Sequence, residues 1–358
     1  MVDPEDYLGT RPVAEAHRFD VVALEHYLRE HVKGFTGALT VEQFKGGQSN
    51  PTFKLSADGR SYVLRRKPSG MLLPSAHAVD REYRVITALA GSAVPVPSTY
   101  CLCTDEAVIG TVFYVMDWVD GRVLWDPRLP GMDGDERRAI FTEMNRVISA
   151  LHRVDFSAIG LADFGRPGNY FARQIDRWSK QYKASETERI EAMDNLIAWL
   201  PQNIPSDETT SIVHGDYRID NMIFHPLEAR VLAVLDWELS TLGHPMADFS
   251  YHMMTWRLSS AEFRGLRGCD LAALAIPTED EYLEMYLRRT GIAQRPSAED
   301  WSFCMAYNMF RMAAIFQGVM ARAVAGNAAS ELALETGRRA RPMAELGWQQ
   351  VEQMRGAH

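Results

Sequence analysis

Acidic, amide and imidazole side chains are concentrated in the stretch IVHGDYRIDNMIFHPLEARVLAVLDWE, residues 212–238. His214, Asp216 and Asn221 stand in the spacing H-x-D-x-x-x-x-N. Asp236 follows the apolar run VLAVL. Phosphoryl transfer needs a carboxylate that orients and deprotonates the attacking hydroxyl, and oxygen ligands that hold Mg²⁺ against the nucleotide phosphates. The spacing therefore predicts that Asp216 is the catalytic base and that Asn221 and Asp236 are the metal ligands.

Two short apolar runs are expected to position these side chains. The segments NMIF and VLAVLDW are predicted to form strands that pair across the turn HPLEA. This hairpin returns Asp236 to the neighbourhood of Asn221, and the loop between Asp216 and Asn221 leaves the base facing the substrate. Magnesium keeps several waters and binds few protein ligands, which suits so sparse a set.

The elements along the chain predict an α+β fold. Two strand-like runs joined by ADGR indicate an antiparallel hairpin, and AHAVDREYRVITALAG repeats apolar residues at helical spacing. From Glu136 onward the chain is mostly helical apart from the stretch quoted above. We expect an N-terminal antiparallel β-sheet lobe that binds the nucleotide, residues 1–119. A larger helical C-terminal lobe, residues 120–358, is expected to carry the catalytic loop and the acceptor site.

These motifs resemble the aminoglycoside phosphotransferase and choline kinase branch of the protein-kinase-like fold. HGDYRIDN matches the family's loop H-G-D-x-x-x-x-N, and LDWE matches the setting of its metal aspartate. The resemblance implies a two-lobed kinase-like fold, ATP and Mg²⁺ as cofactors, and a small-molecule hydroxyl as the phosphate acceptor. It also implies that His214 and Asp248 brace the catalytic loop.

The resemblance implies further nucleotide-binding residues in the N-terminal lobe. The turn KGGQSNPTF covers the phosphates, Glu82 pairs with the phosphate-binding cation, and the connector YVMDWVDG offers its backbone to adenine. That cation is Arg65 by alignment or Lys67 by chemistry, and Arg65 is favoured. The candidate nucleotide-binding residues are Gly46, Gly47, Ser49, Asn50, Arg65, Glu82, Asp117 and Val119.

Several departures from related motifs narrow the function. DWE replaces the D-F-G of protein kinases and no A-P-E follows, so an activation segment and a protein substrate are not expected. The sequence G-x-x-x-x-G-K-[ST] does not occur, which excludes the P-loop class. A catalytically silent nucleotide-binding module is the remaining non-enzymatic alternative.

Three segments, GGQSNPTFKL, LLPSAHAVDREYRVI and LDWELSTLGHPMADFSYH, resemble a particular subgroup of the family. In this subgroup the kinase-like domain also occurs at the N-terminus of fused acyl-CoA dehydrogenases. The resemblance implies a hydroxyacyl-CoA as a possible acceptor, and it implies no dehydrogenase activity for this chain. An aminoglycoside, another amino alcohol or a sugar is the alternative acceptor.

A stripe of basic residues agrees with an anionic acceptor. Arg173, Arg177 and Lys180 are spaced at i, i+4 and i+7, which places them on one helix face. They could bind the phosphates of CoA. A solvated basic face is the alternative interpretation, because charge runs usually serve solubility.

Composition and charge limit the partners and the location. The formal net charge of −9 argues against nucleic acid as the main partner, and the four cysteines show neither zinc nor disulfide spacing. An acidic N-terminus without an apolar core is not a signal peptide, so a cytoplasmic location is expected. Residues 301–321 are apolar but carry Asn308, Arg311 and Gln317, which predicts a buried helix rather than a membrane span. The oligomeric state is left open.

Overall fold

The computed structural model describes residues 9–45, 50–68, 78–326 and 332–356. The strands are β1 (Thr10–Arg11), β2 (Thr40–Phe44), β3 (Thr52–Ala57), β4 (Arg60–Arg66), β5 (Thr99–Cys103), β6 (Phe113–Asp117), β7 (Arg122–Val123), β8 (Ser211–Val213), β9 (Met222–Phe224), β10 (Val231–Val234) and β11 (Thr241–Gly243). The helices are α1 (Val21–His31), α2 (Val79–Leu89), α3 (Gly134–His152), α4 (Tyr170–Ala184), α5 (Glu191–Trp199), α6 (Pro245–Arg257), α7 (Ser260–Phe263), α8 (Leu271–Leu274), α9 (Glu279–Thr290), α10 (Ala298–Val324), α11 (Leu332–Gly337) and α12 (Ala340–Gly356).

The chain divides into two compact units. The first contains Met1–Trp125, Ser157–Leu161 and Ile219–Ser240, and the second contains Asp126–Phe156, Ala162–Arg218 and Thr241–His358. An antiparallel sheet dominates the first unit and helices dominate the second, which confirms the predicted α+β class. The predicted domain boundary between residues 119 and 120 stays a prediction.

An antiparallel sheet with strand order β1-β2-β3-β4-β6-β5 forms the centre of the first unit. Its β3–β4 hairpin runs in continuous register from Thr52 opposite Arg65 to Ala57 opposite Arg60, as predicted from ADGR. Asp58 and Gly59 form the turn with φ of 48° and 74°. Two positive φ values match the twist of the flanking strands, which explains the Asp-Gly pair.

One face of this sheet packs against α1. Leu24 and Leu28 of the helix meet Phe53, Leu55 and Leu64 of the hairpin, and all five side chains are at most 1% exposed. Burying each such side chain stabilises the fold by about 2 kcal/mol, so this core fixes the strands that carry the polar residues described below.

A smaller sheet of order β10-β9-β7 completes the first unit. β9 pairs with β10 in antiparallel fashion, which confirms the predicted pairing across HPLEA. Gly121 precedes β7 at a point where a Cβ atom would lie 2.3 Å from the carbonyl oxygen of Phe224, so a side chain there would force the strands apart.

Helices pack around α10 in the second unit. α10 contacts α4, α5, α6 and α12. Asn308, Arg311 and Gln317 are buried on it, as the sequence predicted for this stretch. Across the described ranges, none of the helices combines the length and the apolar character that a membrane crossing requires. The short strands β8 and β11 pair next to the start of the predicted catalytic loop.

Candidate functional site

The first unit holds a cluster of polar side chains around Arg65, which we call the Arg65 cluster: Asn50, Arg65, Glu82, Asp236 and Glu238. The Arg65 guanidinium points from β4 and lies 2.8 Å from Glu82 Oε2, through Nε, and 2.6 Å from Asp236 Oδ1, through Nη2. Glu238 is farther from it, at 3.7 Å. The structure therefore brings together four predicted site residues from two loops, a strand and a helix: Asn50, Arg65, Glu82 and Asp236.

Glu82 is the buried centre of this cluster and is 1% exposed. Asn50 Nδ2 donates to Glu82 Oε1 at 2.8 Å, and the Tyr114 hydroxyl donates to Oε2 at 3.2 Å. Because a buried carboxylate is costly without partners, these donors together with Arg65 hold it in place. Tyr114 and Glu238 were not predicted. Tyr114 lies 32 positions from Glu82 and no spacing relates the two, whereas Glu238 follows Asp236 by two positions, which could have suggested it.

Burial and neighbouring charges have opposite effects on the pKa values of Arg65 and Glu82. Burial by itself would lower the pKa of Arg65, but the carboxylates of Glu82 and Asp236 raise it above its ordinary value. Burial raises the pKa of Glu82, and the Arg65 charge opposes that rise. Arg65 therefore remains a cation whose charge is directed toward Asp236.

Asp236 and Asn221 offer the oxygen ligands that Mg²⁺ prefers. Asp236 adopts a left-handed backbone conformation with φ of 64°, two residues after the last residue of β10. Its Oδ1 accepts from Arg65, and among the described residues no donor reaches Oδ2. The Asn221 backbone carbonyl accepts a hydrogen bond from the Leu235 N–H at 2.8 Å, which connects the segments of the two predicted metal ligands. One carboxylate and one amide fit a cation that keeps most of its waters.

The other predicted nucleotide-binding residues are placed as follows. Lys67, the alternative cation, lies 3.7 Å from Asp80 rather than in the Arg65 cluster. Asp117 ends β6, where its Oδ1 accepts from the Tyr100 hydroxyl, and Val119 follows in the connector. Gly46, Gly47 and Ser49 lie outside the described residues.

The predicted catalytic loop belongs to the second unit as far as Arg218, and it begins where β8 ends. Gly215 has φ of 85°, a conformation that glycine adopts without strain. This turn aims two successive N–H groups at Asp248 of α6. His214 donates to Oδ2 at 2.7 Å and Gly215 donates to Oδ1 at 2.8 Å. The Asp248 carboxylate thus holds the backbone that precedes Asp216.

His152 and Tyr286 extend this brace. His152 Nε2 lies 3.2 Å from Asp248 Oδ2, and its Nδ1 lies 2.7 Å from the Tyr286 hydroxyl. Burial by itself would raise the pKa of Asp248, but the hydrogen bond from His152 and the charges of His152 and His214 lower it below its ordinary value. Asp248 is therefore ionised at neutral pH and binds the loop with full charge.

Asp216 lies within reach of a hydroxyl and a guanidinium. Its Oδ1 accepts from the Tyr251 hydroxyl, and Arg218 Nε lies 3.2 Å from the same oxygen. The Asp216 N–H donates to His214 Nδ1 at 3.1 Å, so the predicted brace residue contacts the predicted base directly. Burial and the Asp216 charge raise the pKa of Tyr251, so its hydroxyl stays protonated and donates.

Tyr251 and Arg311 are contacts of the loop that sequence reasoning missed. Tyr251 follows Asp248 by one helical turn on α6, a spacing that could have suggested it. Arg311 of α10 donates through Nη2 to the Gly215 carbonyl oxygen at 2.6 Å. The sequence marked Arg311 only as a polar residue of a buried apolar helix, and a separation of 96 positions gave no sign of its contact with the loop.

The basic stripe on α4 is largely paired within the protein. Lys180 lies 2.8 Å from Asp176, and Arg173 donates to the carbonyl oxygens of Gly168 and Arg166. Arg177 lies over the Trp178 ring, with 5.4 Å between its guanidinium carbon and the ring centroid. Of the three predicted residues, only Arg177 makes no hydrogen bond or ion pair with the described residues.

Comparison of the sequence with known proteins identifies the family of this chain. A family model described as phosphotransferase enzyme family matches residues 40–303. Acyl-CoA dehydrogenase family member 10 of Mus musculus is 48% identical over 343 residues, which are 95% of this chain and 32% of that protein. Family member 11 of Rattus norvegicus is 42% identical over 346 residues, which are 95% of this chain and 44% of that protein. The chain thus spans less than half the length of these relatives.

Solved structures show the same fold. A Ralstonia eutropha protein that carries the provisional name aminoglycoside phosphotransferase is 59% identical, with a TM-score of 0.86 over 94% of this chain and 99% of that one. Choline kinase from Cryptosporidium parvum is 12% identical with a TM-score of 0.65, covering 94% of this chain and 97% of that one. At so low an identity the second likeness concerns the fold alone. The kinase-like fold predicted from the sequence is confirmed.

Proposed function

This chain belongs to the phosphotransferase enzyme family, and from that premise we propose that it is an ATP- and Mg²⁺-dependent small-molecule kinase. The predicted relationship to the kinase-like part of acyl-CoA dehydrogenase family members is confirmed, as is the predicted class of phosphotransferase at the level of the family. The observation that carries the proposal is the held loop, in which Asp248 and Arg311 fix the backbone beside Asp216.

Asp216 acts as the general base in this proposal. The acceptor hydroxyl gives its proton to the Asp216 carboxylate while its oxygen forms a bond to the γ-phosphorus of ATP. The bond between that phosphorus and the bridging oxygen breaks, and ADP leaves with the electron pair. The brace on the loop supports this role, because a base must be held in one geometry to act.

Nucleotide and metal are assigned to the first unit. Asn221 and Asp236 bind Mg²⁺, which supplies positive charge to the phosphates when bound. Arg65, oriented by Glu82, contacts the α- and β-phosphates. The remaining nucleotide contacts are assigned to Gly46, Gly47, Ser49, Asn50, Asp117 and Val119.

A hydroxyacyl-CoA is the proposed acceptor. The relatives are named acyl-CoA dehydrogenases, and they share 95% of this chain's length at 42% to 48% identity. Their dehydrogenase name is not transferred to this chain, because the match covers less than half of each. Arg173, Arg177 and Lys180 were predicted to bind CoA phosphates, and the pairing described above leaves Arg177 as the best placed of them.

A cationic acceptor is the second candidate, and one pocket favours it. In the second unit a pocket of about 50 Å³ is lined by Tyr170, Asp207, Glu208 and His244, among others. The two carboxylates in its lining would attract an amine, as an aminoglycoside or amino alcohol carries. Asp207 already lies 3.3 Å from His244 Nε2, which satisfies part of its charge when that histidine is protonated.

The test is ATP consumption by the purified chain with Mg²⁺ and a panel of hydroxyacyl-CoAs, aminoglycosides, choline and sugars, with the Asp216→Asn variant as the control. Turnover with one acceptor class, lost in the variant, supports the kinase and identifies the class. ATP binding without turnover on any acceptor contradicts the proposal and favours a nucleotide-binding module that does not catalyse transfer.

A further inference from the structure

A buried arginine lies in the second unit beside the loop that carries Asp216. Arg311 is 6% exposed and donates through Nη2 to the Gly215 carbonyl oxygen at 2.6 Å. This is the only hydrogen bond that its side chain makes with the described residues. No carboxylate oxygen of those residues lies within 4.0 Å of its guanidinium nitrogens. The N–H groups on Nε and Nη1 of Arg311 therefore have no acceptor among the described residues.

A buried cation without a carboxylate is costly unless something else compensates its charge. Aromatic rings supply part of that compensation, since the guanidinium carbon lies 5.2 Å from the Tyr251 ring centroid and 5.7 Å from that of Trp178. Burial by itself would lower the pKa of Arg311, but Tyr307, Tyr170, Tyr251 and Asp216 raise it above its ordinary value. The charge is therefore present at neutral pH, and its direct contacts among the described residues are two aromatic rings and the Gly215 carbonyl oxygen.

The Arg311 guanidinium lies near the carboxylate that the acceptor hydroxyl approaches in the proposed reaction. Tyr251 contacts both Arg311, through its ring, and Asp216, through its hydroxyl. Arg218 pairs with Asp216 at 3.2 Å, whereas Asp216 acts on Arg311 from beyond ion-pair distance. A guanidinium with unused donors one side chain away from the base is suited to hold an oxygen group of the molecule whose hydroxyl reacts there.

We propose that Arg311 binds a negatively charged oxygen group of the acceptor, a carboxylate or a phosphate, and so selects hydroxylated anions over amines. This inference rests on the proposed function, because it identifies Asp216 as the base that the acceptor approaches. It differs from the stripe on α4, whose members lie on a helix surface and are largely paired. Arg311 is a specificity-determining residue in this proposal, and Asp216 remains the group that takes the proton.

The test is equilibrium binding of three probes to the full chain in the presence of ADP and Mg²⁺, measured by calorimetry. The probes are 3-hydroxybutyrate, 3-hydroxybutyryl-CoA and kanamycin. Arg311→Gln keeps a donor for the Gly215 carbonyl but removes the charge, whereas Arg311→Lys keeps the charge. Arg322→Gln is the matched control, because Arg322 is an exposed arginine of the same helix.

Arg311→Gln should weaken binding of the anionic probes about 10- to 100-fold, the effect of losing hydrogen bonds to a charged group. Arg311→Lys should retain most of the affinity, and Arg322→Gln should retain all of it. Loss confined to 3-hydroxybutyrate would identify a carboxylate as the bound group, and loss confined to the thioester would identify a CoA phosphate. Equal binding by wild type and Arg311→Gln, or no binding of either anion to wild type, would overturn the proposal.

A second comparison uses only the wild-type protein, so it remains valid if the Arg311 variants fail to fold. The neutral amide 3-hydroxybutyramide should bind about 10- to 100-fold more weakly than 3-hydroxybutyrate if Arg311 binds the carboxylate. The thioester 3-hydroxybutyryl-pantetheine, which lacks the CoA phosphates, should bind more weakly than 3-hydroxybutyryl-CoA by a similar factor if Arg311 binds a phosphate. Equal affinity within both pairs would contradict the inference. ATP turnover is followed separately. Turnover that does not depend on Arg311 would contradict the role of Arg311 and support the proposed kinase activity. Arg311-dependent binding of an anion without turnover would support the anion site and contradict the kinase activity.

Discussion

At the scale of single residues, the proposed phosphoryl transfer depends on Asp216 as its base. Its carboxylate accepts from Tyr251 and lies 3.2 Å from Arg218 Nε, so the amide of an Asp216→Asn variant would keep a similar size and several of these contacts. Asparagine cannot take a proton from the acceptor. We therefore expect kcat to fall about 10²- to 10⁴-fold with little change in the affinity for ATP, measured by turnover and nucleotide titration.

Asp280→Asn is the matched control, since the Asp280 side chain is 78% exposed and pairs with Arg295 on the surface. It should leave kcat unchanged. Unchanged turnover in Asp216→Asn would assign the base to another group, whereas a parallel loss of ATP binding would indicate a general disturbance of the structure.

The Arg65–Glu82 pair is the second residue-scale prediction, and it concerns stability. Arg65 Nε lies 2.8 Å from Glu82 Oε2, with side chains 11% and 1% exposed. Arg65→Met leaves a buried carboxylate without its cation, so it should lower the free energy of unfolding by about 3–5 kcal/mol. Denaturant unfolding monitored by circular dichroism measures the change.

The double variant Arg65→Met/Glu82→Leu measures the interaction energy between the two side chains. It should lose much less stability than the two single changes added together, because neither charge is then left alone in the interior. Strict additivity of the two losses would show that Arg65 and Glu82 do not interact strongly in the folded chain.

At the scale of elements, α6 holds the loop through one carboxylate. Asp248 accepts from the N–H groups of His214 and Gly215 and contacts His152, and its pKa lies below the ordinary value. A carboxyl group whose folded pKa is lowered stabilises the fold above its unfolded pKa of about 3.9, and this contribution is lost as the pH falls through the folded value. Asp248→Asn should therefore lower the free energy of unfolding at pH 7 by about 3 kcal/mol, since it weakens hydrogen bonds to a charged group.

The difference between wild type and Asp248→Asn should begin to narrow below about pH 4 and should continue to narrow until the pH reaches the lowered folded pKa, where the wild-type carboxyl becomes neutral. Unfolding by urea at pH 7, 5, 4 and 3 measures it, with the exposed Asp280→Asn as the control for general acid effects. A difference that stays constant over this range would show that the charge of Asp248 does not hold the loop.

Local patterns predicted most of the elements, and long-range contacts explain what was missed. The hairpin around Asp58, the helix that carries Glu82 and the buried helix α10 each follow from residues close together in the sequence. The H-x-D-x-x-x-x-N spacing predicted roles for Asp216 and Asn221 in the same way, and these roles stay predictions. Tyr251 meets Asp216 across 35 positions and Arg311 meets Gly215 across 96, and such contacts are determined by helix packing rather than by spacing.

At the scale of the whole molecule, the chain divides its predicted site residues between two units. Arg65, Glu82, Asn221 and Asp236 belong to the first, and Asp216 belongs to the second. The family model covers residues 40–303 and so includes these residues from both. Nucleotide binding and acceptor selection can therefore be tested by separate changes, one in each unit.

Binding of Mg·ATP should stabilise the whole molecule through Asp236. A ligand at a hundred times its Kd stabilises the folded state by about 2.7 kcal/mol, which raises the thermal transition by a few degrees for a chain of this size. Wild type should show this shift with ATP and Mg²⁺ and a smaller one with ATP and a chelator. Asp236→Ala should lose the Mg²⁺-dependent part, whereas Glu106→Ala, an exposed carboxylate change in the same unit, should keep it. Because Asp236 also pairs with Arg65, the shift on adding ligand is compared rather than the transition temperature itself. An undiminished shift in Asp236→Ala would place the metal elsewhere.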